Sequence, residues 1–163
     1  MTHESRLTRE LRALLHTQRV AALGTLGDNG APQVSMVPYA IAPSCGCLVL
    51  HVSGLAAHTR NLQKAPAVSL LVMQPEVADA PVHALPRVTL EGRAEVLFPQ
   101  TDTWQLCRAA YLARFPEAAP MTQLGDFMFV AIHATGARQV ASFGAARSLD
   151  AAELAYMLTP DPG

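Results

Sequence analysis

Ser53, His58, Thr59, Arg60 and Asn61 fall within nine positions of the stretch Leu50-His51-Val52-Ser53-Gly54-Leu55-Ala56-Ala57-His58-Thr59-Arg60-Asn61-Leu62. An apolar strand is expected to run into Ser-Gly there, with a helix beginning a few residues later. The first N–H groups of a helix have no partner within it. With hydroxyl and imidazole donors beside them they form an anion site, so a phosphorylated small molecule is the leading ligand. The competing reading is an ordinary capped helix with a solvated polar face. No Ser-His-Asp set, carboxylate pair or metal cluster stands out as a rival catalytic engine. Cys45-Gly46-Cys47 is a lone pair with the wrong spacing for a zinc knuckle, and no second pair follows. With Cys107 the cysteine count is odd, which does not suggest a disulfide framework. The histidines are scattered, and no metal is expected.

The elements that must position these residues follow from pattern. Residues 5–16 read as a helix with Leu7, Leu11, Leu14 and Leu15 on one face. Residues 20–26 read as a strand, and Gly27-Asp28-Asn29-Gly30 is a hairpin turn whose residues tolerate positive φ. Residues 33–41 form its partner strand, and Pro38, which cannot donate to a ladder, marks an edge, a bulge or a ligand-facing gap. Further strands are expected over 47–52, 68–73, 87–97, 127–133 and 139–143. The nearly all-apolar run 68–73 reads as buried on both faces, whereas 87–97 alternates cleanly. Helices are expected over 56–64, 101–115 and 150–158, the last opened by Asp150-Ala151-Ala152-Glu153, which has capping-box spacing. Residues 74–86 carry three prolines and read as a loop. Hairpins and irregular alternation point to a mainly β fold with peripheral helices, a small antiparallel barrel, rather than a doubly wound parallel sheet.

The bulk numbers narrow the classes. A chain of 163 residues fits one domain, 1–163, and buries roughly two-thirds of its unfolded surface. Half the residues are hydrophobic and only 15% are charged, against about a quarter in ordinary domains, so a large core or a large subunit interface is implied. A net charge of −1 and no basic stripe argue against a nucleic-acid partner. No apolar run is long enough to span a bilayer. The first residues lack a secretion-signal pattern, so a cytoplasmic location is expected.

Four segments carry a resemblance to a known family: residues 19–40 (RVAALGTLGDNGAPQVSMVPYA), 52–72 (VSGLAAHTRNLQKAPAVSLLV), 88–96 (VTLEGRAEV) and 124–149, with GDFMFVAIH and the FGAA element at 143–146. Together they resemble the FMN-binding split-barrel family related to pyridoxamine 5'-phosphate oxidase, and within it the haem-utilisation branch most. The resemblance implies a six-stranded antiparallel split β-barrel that forms a homodimer, with FMN in a cleft at the subunit interface. It implies that Ser35, Met36 and Val37 run beside the isoalloxazine and offer it backbone groups. It gives Ser53, His58 and Thr59 to the phosphate and Arg60 or Asn61 to the ribityl chain. Glu91 lies where a Gln of the oxidase contacts flavin from the partner subunit.

The departures bear on function. Arg and Lys of the oxidase that contact phosphate are matched here by Ser35, Ala57 and His58, which removes fixed positive charge and weakens the expected hold on FMN. Ala40 stands where the oxidase has a further Lys, and its Arg-rich C-terminal motif has no counterpart, so pyridoxamine phosphate oxidation is not expected. The haem branch places an axial histidine after the last helix, whereas no histidine follows His133 here. Its aspartate before the aromatic strand is present as Asp126, for which a turn role is equally open. The expected function is therefore an FMN-binding protein, a flavin-dependent oxidoreductase in which the flavin carries the electrons. One alternative is a haem-binding or haem-degrading utilisation protein with haem as its ligand. Another is a non-catalytic dimer that binds or senses flavin.

Overall fold

Helix α1 (Arg6–Thr17) opens the part of the chain that the computed structural model describes, residues 4–160. Ser5 caps it by accepting from the Thr8 N–H, and Leu11, Leu14 and Leu15 form its buried stripe. Strands β1 (Val20–Leu26) and β2 (Pro32–Pro38) then pair as a hairpin. Its turn holds Asn29 and Gly30 at φ 62° and 73°, the left-handed backbone expected of that sequence. The chain continues through β3 (Ala40–Ala42), β4 (Cys47–Ser53), α2 (Ala57–Lys64), β5 (Ala67–Met73) and β6 (Arg87–Val96). It ends with α3 (Asp102–Arg114), β7 (Phe127–Ser142), β8 (Ala145–Asp150) and α4 (Ala151–Met157). As the sequence implies, Asp150 caps α4 by accepting from the Glu153 N–H. Among the described residues no helix is long and apolar enough to cross a membrane.

All strand pairings are antiparallel, in the order β2-β1-β5-β6-β7-β4-β3, with β8 added to β7. The two edges, β2 and β3, are consecutive in the chain, so the sheet curls until its ends approach without joining ladders. This is the expected mainly β split barrel, built from eight strands rather than six. Three local events change the count. The expected strand 33–41 divides at Tyr39, whose N–H turns to the Arg19 carbonyl and whose hydroxyl donates to Leu15 O at 2.7 Å. The expected strands 127–133 and 139–143 fuse, because β6 pairs along nearly the whole of β7. Strand β8, rich in residues of low strand propensity, forms because the far end of β7 offers it a template.

A second correction concerns burial. β5 is covered on one face only: Val68, Leu70 and Val72 point inward, while Ala67, Ser69 and Met73 are exposed. The long strand β4, like the short β3 beside it, is buried on both faces. Its Leu48, Leu50 and Val52 join the barrel core, and Cys47 and Val49 join a second core made with α3 around Cys107, Tyr111, Phe115 and Phe129.

Candidate functional site

Helix α2 starts just after the Ser53-Gly54 turn, where the sequence leaves an anion site and an ordinary capped helix as alternatives. Its N-cap is Ala56, which has no side-chain acceptor for the first N–H groups. Ser53, at the end of β4, accepts from the Leu55 N–H at 3.2 Å and shapes the turn. Gly54 donates its N–H to Asp126 O, and a Cβ at Gly54 would lie 3.0 Å from that oxygen. Asp126 thus joins the ends of β4 and β7 through its backbone.

The structure brings Ser35 and His58 together: the Ser35 hydroxyl lies 3.1 Å from His58 Nδ1. Burial lowers the His58 pKa and favours the neutral ring. Asn61 Nδ2 donates to Thr25 Oγ1 at 3.1 Å and to Gln33 Oε1 at 2.6 Å, so α2 is stitched to β1 and β2. Arg60 turns its guanidinium back to Leu55 O at 3.1 Å. Thr59 is fully buried, and its Oγ1 has no hydrogen-bond partner. Val37 has its side chain in the core, while Met36 is exposed on the other face of β2. β2 is an edge strand, so the backbone of 35–37 pairs with β1 on one side only.

Glu91 lies apart from this cluster, in a groove of about 620 Å³ on the outer face of the sheet. The register explains the groove. Val34 sits opposite Gly24, Gly24 opposite Ser69, Ser69 opposite Glu91, and Glu91 opposite Gly136. Directly paired residues share a face, so this cross-sheet row puts Gly24 and Ser69 in the groove floor. Leu26 and Val34 supply apolar walls. The neighbouring row runs Ala67, Arg93, His133. Arg93 is exposed at the rim, and the His133 Nε2 lies 2.8 Å from the Glu95 carboxylate. Thr25 and Gln33, both bound by Asn61, border the same groove.

Arg93 and Gly136 were not among the residues the sequence singled out, whereas His133 reads from the sequence as a conceivable substitute haem ligand whose place in an expected strand favours a core or surface role. Strand alternation places Arg93 and Glu91 on one face, but the sharing of that face by Gly24, Ser69 and Gly136 depends on register across four strands. His51, within the opening motif, faces the second core instead: its ring stacks on Phe127 at 5.0 Å and packs against Phe129 at 4.5 Å.

The family model described as pyridoxamine 5'-phosphate oxidase matches residues 7–141. This chain belongs to that family. Within the pyridoxamine 5'-phosphate oxidase family it is similar to proteins named for haem. Heme oxygenase HutZ of Vibrio cholerae is 28% identical over 152 residues, covering 93% of this chain and 85% of the relative. The non-canonical heme oxygenase HOZ of Arabidopsis thaliana, a chloroplast protein, is 34% identical over 151 residues, covering 88% of this chain. A heme-binding protein from Mycobacterium smegmatis superposes with a TM-score of 0.84 at 30% identity, over 95% of this chain. The chain spans 44% of the Arabidopsis relative and 62% of the mycobacterial one.

Proposed function

We propose that this protein binds haem in the outer groove of β1, β2, β5 and β6, and that a second copy of the chain closes the groove as a homodimer. The observation that carries this reading is the row Val34, Gly24, Ser69 and Glu91, whose glycine and serine leave a shallow, partly apolar floor. A planar macrocycle needs such a floor, and its carboxylates need a cation at the rim. Arg93 fits that need, because guanidinium and carboxylate make paired, charge-assisted hydrogen bonds. His133 lies on the same face beside Arg93, so it is the histidine suited to the iron. With Nε2 held by Glu95, Nδ1 is the nitrogen left to ligate, and a carboxylate of this kind also orients a ligating ring. Resemblance to haem-named relatives supports the same ligand, and haem replaces FMN as the leading one.

Hemin titration into the purified protein tests the reading. A saturable shift of the Soret band is expected. Arg93→Ala should weaken binding at least roughly tenfold, the worth of one hydrogen bond to a charged group, and His133→Ala should alter the spectrum of bound iron. An unshifted Soret band in the wild-type protein sinks the reading. With ascorbate and oxygen, loss of the band with iron release assigns haem as substrate, and a persistent band assigns it as cargo.

A second reading, FMN at the start of α2, is favoured by the unpartnered Thr59 hydroxyl and the uncapped helix. Ser53 and Thr59 are neutral, burial favours the neutral His58 ring and the Arg60 guanidinium is turned back to Leu55 O, so the site suits a weakly held phosphate. Bound flavin would supply two-electron redox chemistry. Quenching of flavin fluorescence on mixing would support this site. Turnover with NADPH would separate an oxidoreductase from a flavin sensor.

A further inference from the structure

The Cys45-Gly46-Cys47 pair and the distant Cys107 meet at the second core. Cys45 ends the short 3-10 turn Pro43–Cys45 between β3 and β4, Cys47 begins β4, and Cys107 lies on the buried face of α3. The turn and both neighbouring strands pack against α3. The Cys47 and Cys107 sulfurs are 3.9 Å apart and both residues are fully buried. Cys45 packs against the same core but is partly open to solvent. All three are free thiols.

We propose that Cys45, Cys47 and Cys107 form a redox-active thiol site, in which a peroxide entering at Cys45 leads to a Cys47–Cys107 disulfide that ties β4 to α3. The geometry is close to that product: the sulfurs need approach by only about 2 Å to reach bonding distance. The pair is also polarised. Their contact lowers the Cys107 pKa to about 7, against the opposing effect of burial, and pushes the Cys47 thiol up, so Cys107 is the more acidic of the two. Cys45 packs against the same core cluster as Cys107, which sets the more exposed thiol beside the buried pair.

The steps balance. The Cys45 sulfur attacks the peroxide, one oxygen is transferred, and the other leaves as water, giving Cys45 sulfenic acid. The Cys107 thiolate attacks that sulfur and expels hydroxide, forming a Cys45–Cys107 disulfide. Cys47 then attacks the Cys107 sulfur and releases Cys45 as a thiol. In sum two thiols are oxidised by two electrons, and one hydrogen peroxide is reduced to two waters. Ser44, whose hydroxyl lies 4.0 Å from the Cys45 sulfur, stands at the entry point.

The test uses the whole native chain, treated with one equivalent of hydrogen peroxide and quenched with an alkylating agent in denaturant. The number of alkylated cysteines should fall from three to one. Peptide mapping should find Cys47 joined to Cys107 with Cys45 alkylated. Cys45→Ala should slow disulfide formation at least about tenfold at equal peroxide, and its folding is checked by circular dichroism. Three outcomes overturn the proposal: all cysteines remain alkylated, only oxygen addition appears, or the bond formed joins Cys45 of two separate chains. None of these readouts involves haem or flavin, so they stand apart from the ligand reading.

Discussion

His51 and His58 show how burial sets a residue's charge. Burial lowers both pKa values below the ordinary 6.5, because neither imidazolium is offset by a nearby carboxylate. His51 is enclosed by Tyr111, Phe127 and Phe129, and His58 faces the neutral Ser35 hydroxyl. The sign of the linkage follows. Below about pH 6.5 the unfolded chain takes up protons that these two rings resist in the folded state, so stability falls as the pH drops through that value. Above it their contribution is intact. Urea midpoints are expected to decrease between about pH 7.5 and 5.5, and His51→Phe should flatten the slope. A midpoint that is constant or rises over this interval contradicts the assignment. The same argument bears on the anion reading: a bound phosphate would have to draw a proton onto His58 against its burial.

The β6–β7 ladder is the element on which the outer groove depends. Thr135 is the extra residue of a bulge there, since Glu91 faces Gly136 while Gly92 faces Ala134. Its hydroxyl donates to Glu91 O at 3.2 Å. Gly92 is required at this point because a Cβ would lie 2.8 Å from the His133 carbonyl, which is fixed backbone. Gly92→Ala is therefore expected to destabilise the protein by about 1–3 kcal/mol, the usual cost of overpacking a tight contact. Denaturant unfolding measures it, and hemin affinity should fall as well because the bulge sets where Arg93 and His133 stand. A variant as stable as wild type would show that the strand relaxes freely there.

At the scale of the whole molecule, the outer face of β1, β2 and β5 is unusually apolar. Val34 and Met36 are 71% and 67% exposed, with Val20 and Met73 beside them. The sequence, with its few charges, left a large core and a large interface as alternatives, and this exposed face is the surface that our proposed homodimer would cover. Our homodimer proposal predicts that light scattering finds twice the chain mass in solution. It further predicts that Val34→Asp with Met36→Asp yields a monomer with weakened hemin binding. Both positions are solvent-exposed in the single chain, so its fold should survive, which circular dichroism checks. A wild-type monomer that still binds hemin would separate the ligand site from the interface.

Sequence alone determined what depends on near neighbours. The Asp150 cap, the Asn29-Gly30 turn and the extent of α2 follow from backbone chemistry within a few residues. The family resemblance carried the split-barrel class. Tertiary structure decided what depends on register. Residues 24, 34, 69 and 91 become one groove floor only when three ladders fix their pairing, and Cys107 reaches Cys47 only when α3 docks on β4. It also decided that β4, and not β5, is covered twice, because an apolar strand shows its composition in the chain but not which faces its neighbours will shield.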